Sequence, residues 1–201
     1  VALAAVLAFV MMAAALFPGA DSAGLQVKAS AAEASHIMLN CETTCKNYDI
    51  TGDQKADKIR INRIASTHDD EGISGFVVKV NGKKAFRYLE PAYTFYDVSA
   101  ELITLENGTP YLYLRLVGDN DNGPVCGLFR YNTSKGRLVQ EVDFNAIFEQ
   151  YGYGNSGSVI SVQGNTLQTL HYANNYTTGL TEFKMTWKYQ EGKLVCKNKK
   201  A

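Results

Sequence analysis

Tyr111-Leu112-Tyr113-Leu114-Arg115-Leu116-Val117 is the stretch on which the fold turns. Side chains alternate across a strand, so Leu112, Leu114 and Leu116 share one face, and Tyr111 and Tyr113 the other. A strand with only one face against a core carries polar residues on its outer side. Here both faces are apolar or aromatic, which predicts a strand in a middle sheet covered on both sides. A later segment behaves differently. Phe183, Met185, Trp187 and Tyr189 alternate with Lys184, Thr186 and Lys188. That is a one-sided strand, as expected of a terminal repeat with a polar outer face.

Hairpin signals surround these strands. Val80-Asn81-Gly82-Lys83, Ser134-Lys135-Gly136-Arg137 and Gln190-Glu191-Gly192-Lys193 each follow an apolar strand, with their glycines 54 and 56 residues apart. Leu102–Leu105 before Asn107-Gly108 is matched by Val159–Val162 before Gly164-Asn165. Such a period, with strands joined by Asn-Gly-type turns, signals stacked meander sheets. The fold class expected is all-β, with three repeated four-stranded antiparallel meander units at about 36–89, 101–142 and 158–197. The strands read as His36–Leu39, Lys58–Ile64, Gly75–Val80 and Lys84–Leu89; then Glu101–Leu105, Tyr111–Val117, Val125–Tyr131 and Arg137–Val142; then Ser158–Val162, Thr166–Tyr172, Leu180–Tyr189 and Lys193–Lys197. Asp143–Gln150 reads as one short helix, because Phe144, Ile147 and Phe148 recur at helical spacing.

The clearest chemistry lies in Asp49-Ile50-Thr51-Gly52-Asp53-Gln54-Lys55-Ala56-Asp57, followed by the strand-like Lys58-Ile59-Arg60-Ile61. Oxygen-bearing side chains occupy loop positions 1, 3, 5 and 9. This is a spacing that wraps a hard cation, and Ca²⁺ takes six to eight oxygens at about 2.3–2.6 Å. The expected metal ligands are Asp49, Thr51, Asp53 and Asp57, with Lys55 contributing its carbonyl. Gly52 permits the sharp turn. An EF-hand needs a Glu at position 12 and flanking helices. Position 12 is Arg60, within a strand, so the loop is not an EF-hand.

The loop and its following strand resemble the calcium loops of FG-GAP and integrin-type β-propeller repeats, which read roughly D-x-[DNT]-G-D-G-x-x-D before a strand. The chain departs from that pattern at Gln54, where the family usually carries Gly. The resemblance implies one Ca²⁺ and propeller-like blades. Closed propellers usually have four to eight blades. Three units therefore suggest a partial propeller, a three-sheet prism, a sandwich of two of the sheets, or a toroid completed by self-association.

The apolar run Val1–Phe17 is broken by Pro18-Gly19, and Ala29-Ser30-Ala31 follows. This pattern predicts a signal peptide over residues 1–31 and a single β-repeat domain over 32–201, with secretion and no membrane span after cleavage. Cys41, Cys45, Cys126 and Cys196 make an even count, which in an exported protein favours disulfides with three possible connectivities. Cys41–Cys45 as a local staple with Cys126–Cys196 across units is one assignment.

Lys and Arg total 20 and Asp and Glu total 20, and no basic stripe is evident in the sequence, so nucleic acid is not an expected partner. The loops His68–Gly72, Gly118–Gly123 and Asn174–Gly179 are polar, and Asp119 and Asp121 are candidates for a second ion. Between the units, Tyr88, Tyr93, Phe95 and Tyr96, then Phe144, Phe148, Tyr151 and Tyr153, either pack between sheets or stack on sugars. Tyr151-Gly152-Tyr153-Gly154-Asn155 reads as an exposed loop. His36, His68 and His171 lack a nearby nucleophile motif, and no G-x-S-x-G, H-E-x-x-H or P-loop occurs. The expected function is a secreted non-enzymatic binding or interaction module with one structural calcium, serving a protein or carbohydrate ligand. The alternative is a polysaccharide hydrolase using paired carboxylates.

Overall fold

Among the residues described by the computed structural model, 33–118, 123–148, 153–175 and 179–200, all regular elements but one are strands. The strands are β1 (Ser35–Met38), β2 (Thr44–Tyr48), β3 (Asp57–Ala65), β4 (Ile73–Val80), β5 (Lys83–Leu89), β6 (Asp97–Thr104), β7 (Pro110–Val117), β8 (Cys126–Asn132), β9 (Arg137–Asp143), β10 (Tyr153–Gln163), β11 (Thr166–Asn175), β12 (Gly179–Gln190) and β13 (Lys193–Lys200). The exception is α1 (Phe144–Phe148). Asp143 starts it by accepting the Asn145 and Ala146 amides on Oδ1 at 3.0 and 3.2 Å, an N-cap. Of the helix expected over Asp143–Gln150, Phe144–Phe148 forms, and Glu149 and Gln150 lie outside the described residues.

Three antiparallel sheets form, and none closes into a barrel. The first has the order β2-β3-β4-β5, the second β1-β6-β7-β8-β9, and the third β10-β11-β12-β13. Tight turns set the registers. Asn81 and Gly82 have φ of 52° and 79°, and Glu191 and Gly192 have 50° and 84°. Two successive positive φ values are the signature of the type I′ hairpin, whose twist matches that of the strands it joins.

The middle sheet is buried on both faces, as its alternation predicts. Leu112, Leu114 and Leu116 pack with Ile59, Ile61, Phe76, Val78 and Phe129 against the first sheet. Tyr111 and Tyr113 pack with Leu128, Phe144, Leu167, Met185 and Trp187 against the third. In β12 the Phe183, Met185 and Trp187 side chains are buried while Lys184 and Lys188 are exposed.

One expected strand belongs elsewhere. The sequence pattern places His36–Leu39 in the first unit, but β1 pairs with β6 of the second sheet. His36 also meets the buried Glu101 of β6 through its Nε2. The chain then crosses to the first sheet through Glu42, at φ 64°, whose amide donates to Ile61 O at 2.8 Å. Glu42 also takes the Arg63 amide and the Asn62 Nδ2–H on its carboxylate. The first strand of that sheet is β2, a mostly exposed segment with no apolar alternation to announce it. A second correction concerns Tyr153-Gly154-Asn155. These residues lie in β10, paired with Asn174, Ala173 and Tyr172, not in a loop. Tyr151, Gly152, Asp119, Asp121 and the segment 1–31 lie outside the described residues. No described helix is long and apolar enough to cross a membrane.

Candidate calcium loop and adjoining cleft

Asp49 organises the acidic loop from within. Its Oδ1 accepts the Gly52 and Asp53 amides at 2.6 and 3.2 Å, and its Oδ2 accepts the Gln54 amide at 2.7 Å. Thr51 Oγ1 also donates to it, at 3.4 Å. Asp53 Oδ1 takes the Lys55 amide at 2.9 Å. The turn needs two left-handed residues, Gly52 at φ 77° and Gln54 at 65°. Gln54, where the resembling family carries Gly, therefore bears the strain of an L side chain with positive φ.

Asp57 plays another part. It shares the inward face of β3 with Ile59 and Ile61, and only 3 % of it is exposed. Its Oδ2 accepts the Ile50 and Thr51 amides at 3.0 and 2.9 Å, and its Oδ1 the Asn81 Nδ2–H at 2.6 Å. Burial by itself raises its pKa, but the bonds from Asn81, Thr51 and Ile50 outweigh that and hold the carboxyl below the usual value. Asp53 and Lys55 are exposed, and Asp49 and Thr51 are half-buried. The five predicted ligands thus share one loop. Among the described residues, however, no three His, Cys, Asp or Glu side chains gather into a metal-holding group. The donors have the hard-oxygen chemistry that Ca²⁺ requires, but Asp49 and Asp57 are engaged by backbone amides.

Thr51 and Gly52 form one wall of a cleft of about 670 Å³. The β6–β7 turn (Asn107–Pro110) and the β8–β9 hairpin (Arg130–Ser134, with Val139 and Glu141) supply the rest. Inside it, Glu141 bonds Arg130 Nε at 2.9 Å and the Tyr111 hydroxyl at 2.9 Å. Burial, then Glu141's charge, pushes the Tyr111 phenol up, so it remains a proton donor. Arg130 also reaches Gly192 O at 3.0 Å, bracing the third sheet's hairpin. Among the described lining residues Glu141 is the one carboxylate, and Arg130 pairs with it. A two-carboxylate hydrolytic centre is not assembled among these lining residues. Glu141, Arg130 and Tyr111 escaped sequence reading because the signal is cross-strand, Arg130 lying on β8 and Glu141 on β9.

His171 is fully buried, with Nε2 at 2.7 Å from Thr169 Oγ1, which also accepts the Trp187 Nε1–H at 2.9 Å. Phe95 and Phe144 are buried between sheets, whereas Tyr93 and Tyr96 are exposed. Asp69 caps its own turn by accepting the Glu71 amide at 3.0 Å. No two of the cysteines lie at disulfide distance. Comparison with family models, curated proteins and solved structures finds no match.

Proposed function

We propose that the chain is a secreted, non-enzymatic binding module built of propeller-like β repeats, with one Ca²⁺ site formed by Asp49, Thr51, Asp53, Asp57 and the Lys55 carbonyl. The carrying observation is that Thr51 and Gly52 of the acidic loop are also a wall of the polar cleft. An ion that orders the loop would therefore shape a ligand site for a protein or carbohydrate. The propeller-like reading draws support from the three consecutive meanders β2–β5, β6–β9 and β10–β13, the second extended to five strands by β1, with a shared core between neighbouring sheets.

Calcium binding is proposed to be weak. The ion must compete with the amides that Asp49 and Asp57 now accept, so an affinity in the 10⁻⁴–10⁻³ M range of extracellular modules is expected, to order of magnitude. Calorimetric titration of Ca²⁺ into the EDTA-stripped full chain should give one site. Asp53→Ala should abolish it and Asp119→Ala should not. Heat of binding that persists unchanged in Asp53→Ala would reject the loop as the site.

A further inference from the structure

Sheet register assembles a cationic face that no run of sequence displays. Arg60 on β3 is paired with Lys79 on β4, and Lys79 is paired with Lys84 on β5. Paired residues project to the same side, here away from the core, and all three are exposed. Lys58, two residues before Arg60, and Arg87, paired with Val77, extend the same outer face. Past the β5 edge, Lys84 and Arg87 meet Arg137 around a groove of about 390 Å³ floored by Phe86, Leu138 and Val139.

Like charges placed directly opposite one another destabilise a sheet. Among the described residues, only Arg60 of this row has an acidic ion-pair partner, Glu42 at 3.6 Å, and both side chains are more than two-fifths exposed, so that pair neutralises little. Lys58, Lys79, Lys84, Arg87 and Arg137 form no ion pair among the described residues. The chain as a whole is neutral, with 20 basic and 20 acidic residues, so this face is a local concentration of positive charge.

We infer that the outer face of the first sheet binds an acidic polysaccharide, a site distinct from the acidic loop, although its groove and the loop's cleft have Val139 in common. The cation row runs across the strands, on the face and not along an edge, whereas an extended acidic peptide would add to an edge. The outward positions Thr44, Lys58, Arg60, Asn62, Val77, Lys79, Lys84 and Arg87 include no aromatic ring, and the groove's Phe86 is packed against Phe76 and Phe129, so the face offers no row of free rings on which bases could stack. Adjacent strands lie about 4.8 Å apart, close to the length of one pyranose residue, so successive cations meet successive uronate carboxylates. The groove at Arg137 lets the polymer continue past the β5 edge.

The test uses the full chain in EDTA, so that its outcome is independent of the calcium loop. Immobilised polygalacturonate should retain the protein at about 20 mM salt and release it as salt screens the contacts, while neutral dextran should not retain it. Lys79→Glu places an opposite charge between Arg60 and Lys84. It should keep or raise the melting temperature while weakening polygalacturonate binding at least about tenfold. Lys193→Glu, an exposed residue of the third sheet, changes net charge equally and should leave binding within about twofold. Failure to bind polygalacturonate at low salt overturns the inference, as does equal weakening by Lys193→Glu. Tighter binding of duplex DNA or polyglutamate than of polygalacturonate also overturns it.

Discussion

Asn81 donates its Nδ2–H to Asp57 Oδ1 at 2.6 Å, tying the turn of the β4–β5 hairpin to the root of the acidic loop. Asn81 also accepts the Lys58 amide at 2.9 Å while holding the left-handed φ of 52°. Asp57→Ala leaves two backbone amides and one side-chain amide without their acceptor and should cost roughly 2–4 kcal/mol in urea unfolding. Asn81→Ala should cost roughly 1–2 kcal/mol, and the double mutant should lose less than the sum, with coupling of about 1 kcal/mol. Strict additivity would mean that the two residues act independently.

The same carboxylate sets an acid limit. Asp57 is held below its ordinary pKa in the folded chain. Its contribution is complete above the unfolded value of about 3.9 and is lost as pH falls through the folded one. Asp57→Asn should therefore flatten the stability profile below about pH 4 and leave its shape at pH 5–8 unchanged. An altered slope near neutrality would contradict this assignment.

His171 governs a higher window. Burial pushes its pKa down to about 4, against about 6.5 in an unfolded chain. Between those values the unfolded state takes up a proton that the folded state refuses. Stability should thus be full above about pH 6.5 and decline towards pH 4, by a total of about 3 kcal/mol. His171→Gln should remove that decline, read from chemical denaturation at pH 4, 5, 6 and 7. A wild-type profile flat across this range would show that the imidazole is not held neutral.

Position within the stack should decide the cost of truncation. Leu114 is fully buried against the first sheet, so Leu114→Ala should cost about 2–5 kcal/mol. Lys184→Ala, on the exposed face of β12, should stay within about 0.5 kcal/mol. Comparable losses at both positions would contradict a middle sheet covered on two faces and a terminal one covered on one.

Much of this architecture was legible because burial follows parity. Leu112, Leu114 and Leu116 against Tyr111 and Tyr113 announced two cores, and Gly82, Gly136 and Gly192 announced the hairpins. β2 was not legible, since Thr44–Tyr48 is mostly exposed and carries no alternation. The pairing of β1 with β6 was not legible either, because Ser35 and Thr104 are far apart in the chain and meet only in the fold. The inward turn of Asp57 was available in principle, because parity places it with Ile59 and Ile61. The cationic face was not, because Arg60, Lys79 and Lys84 become neighbours only once register is known.

The Asp49–Asp57 loop is proposed to take Ca²⁺ and thereby to shape the cleft. Amide chemical shifts of the ¹⁵N-labelled full chain, followed as Ca²⁺ is raised from EDTA to about ten millimolar, test it most directly, because that range spans the affinity of weak extracellular sites. Saturable shifts are expected at Gly52, Asp53 and Gln54, whose amides bond Asp49, and at Ile50 and Thr51, whose amides bond Asp57. Smaller shifts should follow at Asn107–Thr109 across the cleft. A loop that does not shift over the whole range, or shifts confined to the acidic turn at Asp69–Glu71, would contradict it.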